Sequence, residues 1–132
     1  MTTSLWALQA AIYTALNDDS TLGALISGVY DYVPQETEKD YVVIGEQSGT
    51  DWDTKTFQGW EDEISIHTFT EGRGKKDCKA IMDEIYRILH GQALTVAGFN
   101  LLFIRQEFVT LLQEEDGLTF HGVQRFKAIT HN

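Results

Sequence analysis

The stretch "FNLLFIRQEFVTLLQEEDGLTFHGVQRFKAIT", residues 99–130, contains two long extended runs separated by Glu114, Glu115, Asp116 and Gly117. Asp-Gly supplies the positive backbone angles that a hairpin turn favours, so the stretch predicts two neighbouring antiparallel strands. On the return strand His121, Val123, Arg125, Lys127 and Ile129 share one parity, which reads as the outer face of an edge or near-edge strand. Such a face is either an active site, in which case His121 and Arg125 need partners elsewhere in the chain, or a surface that touches other proteins.

Upstream of this hairpin, "KKDCKAIMDEIYRILHG" (75–91) sets Cys78, Ile81, Met82, Ile85 and Leu89 on one helical stripe, with Gly91 just beyond the helix end. Burying five or six such side chains is worth on the order of 8 to 15 kcal/mol gross. A small domain cannot leave that unused, so the helix must lie on the sheet. A first helix over residues 4–17 carries Leu5, Leu8, Ile12 and Leu16, flanked by Trp6 and Tyr13, with Ser4 as N-cap. After "NDDSTLGAL", a second short helix is expected to carry Leu22, Leu25 and Ile26, capped by Asp18, Asp19 or Ser20 and stopped by Gly28. "VYDYVP" (29–34) reads as a brief extended piece ending at Pro34, the sole proline.

"YVVIGEQ" (41–47) has the β-branched and aromatic character of a strand, and "FQGWEDEISIHTFT" (57–70) alternates, with Trp60, Ile64 and Ile66 on one parity and Glu61, Glu63 and His67 on the other. Between them "SGTDWDTKT" (48–56) reads as a polar tip with little packing of its own. The order of elements predicts an α+β fold: a mainly antiparallel or mixed sheet of four to five strands with two main helices packed on one face. No repeat or linker divides residues 1–132, so one domain is expected.

Twenty acidic against 10 basic residues give a net charge of −10, which opposes binding driven by Lys and Arg displacing counterions from phosphate. The longest apolar runs are far short of the roughly 20 residues that span a bilayer, and the first residues carry no basic leader, so a soluble chain with no membrane partner is expected. A lone cysteine, Cys78, allows no internal disulfide and sits on an apolar stripe, which predicts a buried structural thiol.

Motifs for chemistry fail on inspection. "EGRGKKD" lacks the phosphate loop's first glycine, where Phe69 stands, and its hydroxyl, where Lys76 stands. "DWDTK" opens like a calcium loop, but Lys55 occupies the third ligand place and Thr56 the glycine place. The four histidines form no metal-ligand spacing, so neither metal nor cofactor is expected. Trp52, an indole in a hydrophilic tip, reads instead as an interface anchor.

Taken in order, "LQAAIYTALNDDSTLGALISGVYDYVPQETEKDYVVIGEQ", "EDEISIHTFTEGRGKKDCKAIMDEIYRILHG" and "DGLTFHGVQRFKAIT" resemble the tail-completion proteins of long-tailed phages, the small head-tail joining or tail-terminator proteins. The resemblance implies a non-enzymatic assembly protein, made in the bacterial host cytoplasm and carried in the virion at the head-tail junction. It implies that the protein caps the tail tube, ends its polymerisation and meets the head connector or stopper. Partners would be further copies in a ring, commonly six-fold, and the major tail-tube protein, with DNA passing through the lumen unbound. The tip matches no pattern of that family; Asp51, Trp52, Asp53 and Lys55 on composition alone, and His121 and Arg125 on their strand face, are the expected interface residues. The rival from another class is a small hydrolase using His121 with a nearby carboxylate.

Overall fold

The computed structural model describes residues 3–38, 40–72 and 74–132. Helix α1 (Leu5–Asn17) and the single turn α2 (Ser20–Gly23) precede strands β1 (Val29–Tyr30), β2 (Tyr41–Asp51) and β3 (Gly59–Glu71). Helix α3 (Lys76–Leu89) then leads to β4 (Asn100–Gln113) and β5 (Thr119–His131). The five strands form one sheet in the order β1-β2-β3-β5-β4, with only β1 and β2 parallel. The α+β class and the mixed, mainly antiparallel sheet match the sequence reading.

The β4–β5 hairpin forms where the apolar runs predict it, but the turn works differently. Gly117 has φ 72°, whereas Asp116 contributes through its side chain: one carboxylate oxygen accepts from the backbone N–H groups of Leu118 and Thr119 at 2.9 Å, the other from the Thr119 hydroxyl at 2.8 Å. The connection is a loop, 114–118, braced by the Asp116 side chain.

Alternation along β3 and β5 assigns their faces. Ile64, Ile66, Phe126 and Ala128 point to the helices and are buried with Val42, Ile44 and Ile104 from the flanking strands. Against them lie Leu8, Ile12 and Leu16 of α1 and Ile81, Ile85, Ile88 and Leu89 of α3. Both main helices therefore cover one face of the sheet, as the two stripes require. Ile88 joins the expected set, and Leu5 is only half-buried. Cys78 is a buried free thiol beside Met82, and its burial pushes the thiol pKa up.

Three local expectations are corrected. Ser4 occupies the N-cap position of α1, but its hydroxyl caps nothing in the helix and donates to the Asp62 carboxylate at 2.5 Å. Asp19, one of the three expected caps, does cap α2 by accepting from the Leu22 N–H at 3.0 Å, but the helix ends at Gly23 instead of running on to Gly28, leaving Leu25 exposed. Ser48–Asp51 do not belong to a loop: they extend β2 and pair with Glu63–Trp60, while Phe57 and Gln58 lie before β3. The tip is thus residues 52–58. Among the described residues no helix is long and apolar enough to cross a membrane.

Two predictions follow from the core. Ile85 is fully buried, so Ile85→Asp places an unpaired carboxylate under the sheet, at a cost of several kcal/mol against a total of about 5 to 15. Loss of a cooperative denaturant transition is expected, and a wild-type midpoint would remove α3 from the core. Asp62 is buried on the helix side, and burial raises its pKa despite the bond from Ser4. A raised folded pKa gives stability that is present below the ordinary value of 3.8 and lost as pH rises through the folded value. Asp62→Asn, which still accepts from Ser4, should therefore gain on the wild type in denaturant melts as pH is raised from about 4 to 7. A variant that instead loses ground over this range would show that the charge itself is needed.

Candidate functional site

The face of the sheet turned away from the helices gathers the polar chemistry. His67 on β3 pairs across the backbone with Val43 of β2 and Val123 of β5, while His121 on β5 pairs with Phe69 and Leu112. The two imidazoles are therefore diagonal neighbours, with His67 Nδ1 2.7 Å from His121 Nε2. The outer nitrogens reach carboxylates: His67 Nε2 lies 2.8 Å from Glu46 Oε1 and His121 Nδ1 2.8 Å from Glu114 Oε1. Glu46 arrives there because β2 breaks register between Ile44 and Gln47. A β-bulge changes the direction of a side chain in this way. Gly45 makes room, since a Cβ at that position would collide with the His67 ring.

Phe69 stacks on His121 with ring centroids 4.3 Å apart and meets Tyr41 at 5.4 Å, so the histidines sit in an aromatic row. Burial, then the adjacent His67, pushes the His121 pKa below the ordinary value, with Glu114 opposing. The hydrogen bond from His67 holds Glu46 below the usual carboxylate range. Both ring nitrogens of His121 are engaged, leaving neither free to take a proton from a substrate while these contacts last. A carboxylate does stand beside His121, as the hydrolase reading expected, but the other ring nitrogen faces His67.

Further along the same face, the Arg125 guanidinium lies 5.3 Å from the Phe108 ring centroid and borders a shallow depression lined by Glu46, Ser48, Glu63 and Ser65. Lys127 bridges Glu61 at 2.7 Å and Glu107 at 2.9 Å, and both bonds raise its pKa. Glu107 sits at a register shift in β4, as Glu46 does in β2.

The 52–58 tip stands at the opposite end of the sheet from His121, because β5 runs antiparallel to β3 and Gly59 pairs with His131. Asp51 is the last residue of β2, paired with Trp60. The Trp52 N–H donates to the Gly59 carbonyl at 2.9 Å, and the Gly59 N–H donates to Asp53 Oδ1 at 3.2 Å. The Trp52 ring is 6.2 Å from Phe57, which itself packs on His131 at 4.4 Å. The expectation of little intramolecular packing is therefore corrected for Trp52, which is half-buried, while Lys55 is exposed. The structure brings Asp51, Trp52, Asp53 and Lys55 together, sets Arg125 midway along the sheet and holds His121 at the far end.

Two surfaces escaped the sequence reading. Edge strand β4 exposes Leu102, Phe108, Val109 and Leu112, each between 43% and 50% accessible. At the other margin, Trp6, Tyr13, Tyr30 and Tyr32 line a groove of about 420 Å³ between α1 and the β1 segment. The run "LLF…FVTLL" displayed the first signal, being apolar on both parities, but a doubly buried strand gives the same pattern. Among the described residues no group of three or more His, Cys, Asp or Glu could hold a metal ion.

The sequence profile of the family described as "Tail completion protein gp17" matches residues 10–131. The chain is 25% identical over 126 residues to the tail completion protein gp17 of Bacillus phage SPP1, covering 96% of this chain and 93% of that protein. Among solved structures, it is similar to a chain of the virion of a native gene transfer agent particle, with TM-score 0.92, 26% identity and 100% coverage of both chains. It is also similar to the structure of bacteriophage SPP1 gp17, with TM-score 0.64, 25% identity and coverage of 92% and 87%.

The half-buried indole yields a prediction for the tip. Trp52→Ala should lower stability by about 1 to 2 kcal/mol, less than the 3 to 5 of a fully buried aromatic. Denaturant melts check this, and an unchanged midpoint would show that the contacts with Phe57 and Gly59 do not hold the tip.

Proposed function

Because this chain belongs to the tail completion protein gp17 family of phage tail proteins, we propose that it caps the tail tube, ends its polymerisation and presents the finished end to the head connector. The observation that carries the reading is the correspondence, over the full length of both chains, with a chain of a gene transfer agent virion. A part in a particle of that kind requires surfaces for other proteins rather than a reaction centre.

The two sheet margins suit such a role. An open sheet with different patches at its two edges can repeat by heterologous contact, and a rotation that closes gives a ring. Here one margin is the apolar edge of β4 and the other is the aromatic groove beside β1, at opposite ends of the strand order. In the proposed ring, six-fold as is common for proteins of this type, each subunit offers one margin to each neighbour. Weak contacts of this sort add up once the tube end holds several subunits together, so closure is templated by the tail. The tip, with Asp51, Trp52, Asp53 and Lys55, and the outer-face residues His121 and Arg125 are the proposed contacts with neighbours, tube protein or connector. A net charge of −10 favours a lumen through which DNA passes without adhering.

The test is elongation of tail tubes from purified tube subunits, followed by electron microscopy. Added protein should arrest elongation and leave capped ends. Tubes that grow to the same lengths with and without it would refute capping. Trp52→Ala, assayed at a temperature where it remains folded, should cap more weakly than the wild type; equal capping would take the tip out of the interface.

A further inference from the structure

Glu46, His67, His121 and Glu114 form an unbroken row: 2.8 Å from carboxylate to imidazole, 2.7 Å between imidazoles and 2.8 Å to the second carboxylate. Ionised carboxylates only accept, so each end of the row needs an N–H, one on His67 Nε2 and one on His121 Nδ1. The central contact between His67 Nδ1 and His121 Nε2 needs a third. Two neutral imidazoles carry two N–H groups between them, and one neutral imidazole with one imidazolium carries three. The row is therefore complete only when the pair holds one proton more than its neutral form.

We infer that these four side chains are a proton-binding site, a latch that ties the β2 bulge to the β4–β5 turn across the outer face of the sheet and is whole only while a single extra proton is shared between His67 and His121. Removing that proton sets two lone pairs against each other at one of the three contacts. Adding another sets N–H against N–H at the centre. The latch thus weakens on both sides of a window, and the pair takes up its protons in two macroscopic steps that belong to neither histidine alone.

The setting suits such a device. The imidazole side chains are 17% and 18% accessible, dry enough for a lost bond to matter, whereas Glu46 at 72% and Glu114 at 37% keep access to water. The charged and titratable groups around the pair are Glu46 and Tyr41 from β2, Glu63 and Glu71 from β3, Glu114 from the turn and Arg125 from β5. Arg125 favours ionised Glu46. From β4 the cross-strand neighbour of His121 is the apolar Leu112. Depression of the His121 pKa by burial and by His67 accords with reluctance to accept the second proton.

The linkage has two limbs. For the second proton the folded state binds less than the unfolded chain, so stability falls as pH drops below the ordinary histidine value of 6.5. For the first, shared proton the three completed contacts favour the bound form in the folded state while burial opposes it, so the contribution of the contacts is present while that proton is held and lost as it leaves. Stability should therefore pass through a maximum within about pH 5 to 8, the range in which histidine charge changes.

Nitrogen-15 NMR of the imidazoles in the wild-type protein, titrated over that range, tests the inference. Expected are two steps about one pH unit or more apart, each sensed by both His67 and His121, with the His67 Nε2 and His121 Nδ1 protons retained through the window. Independent single steps at the two histidines would overturn it. Glu114→Gln, which removes one carboxylate at a partly exposed position, should flatten the pH dependence of the denaturation midpoint; a profile unchanged from the wild type would likewise overturn it.

Discussion

The uninterrupted pairing of β3 with β5, from Gly59 opposite His131 to Glu71 opposite Thr119, is the constraint on which the other features of this chain depend. Thirteen-residue strands with no bulge between them fix one parity for both. On one side of this ribbon Ile64, Ile66, Phe126 and Ala128 meet the helices; on the other His67, Arg125, Lys127 and His121 meet solvent and one another. A slip of one residue would exchange these sets and put imidazoles and guanidinium under α3. The irregularities are confined to the flanking strands, where shifts in β2 and β4 turn Glu46 toward His67 and Glu107 toward Lys127 of the central pair.

What was legible in the sequence was what periodicity encodes. The stripe through Cys78, Ile81, Met82, Ile85 and Leu89 and the alternation through Trp60, Ile64 and Ile66 report helix and strand because burial on one face imposes those spacings. Polar strand ends give no such report: Ser48, Gly49, Thr50 and Asp51 pair with β3, yet nothing in their side chains needs burial. Contacts made through tertiary approach were equally silent. The Ser4 hydroxyl meets Asp62 across 58 positions, and the Arg87 guanidinium embraces the Asp19 carboxylate with two bonds of 2.9 Å across 68.

The expected interface residues fared according to the same logic. His121 and Arg125 could be assigned to an outer face from strand parity, but the partners of His121 could not, since Glu46 reaches the row through a bulge and Glu114 through a turn. Trp52 stood out by composition, and its contact with Phe57 depends on a chain reversal at Thr54, whose hydroxyl accepts from the Phe57 N–H at 3.2 Å. The apolar edge of β4 was visible as residues and invisible as exposure, because strand order decides which strand is left at the margin.

A small acidic chain with one dry face, one face of paired charges and two dissimilar margins suits the assembly role proposed for it as a member of the tail completion protein gp17 family. The most direct test of a terminal role is position: immunogold electron microscopy of intact particles and of isolated tails carrying this protein. Capping predicts label confined to the head-proximal end of the tail, at one site per particle. Label spread along the tube, or found on the capsid away from the junction, would contradict it.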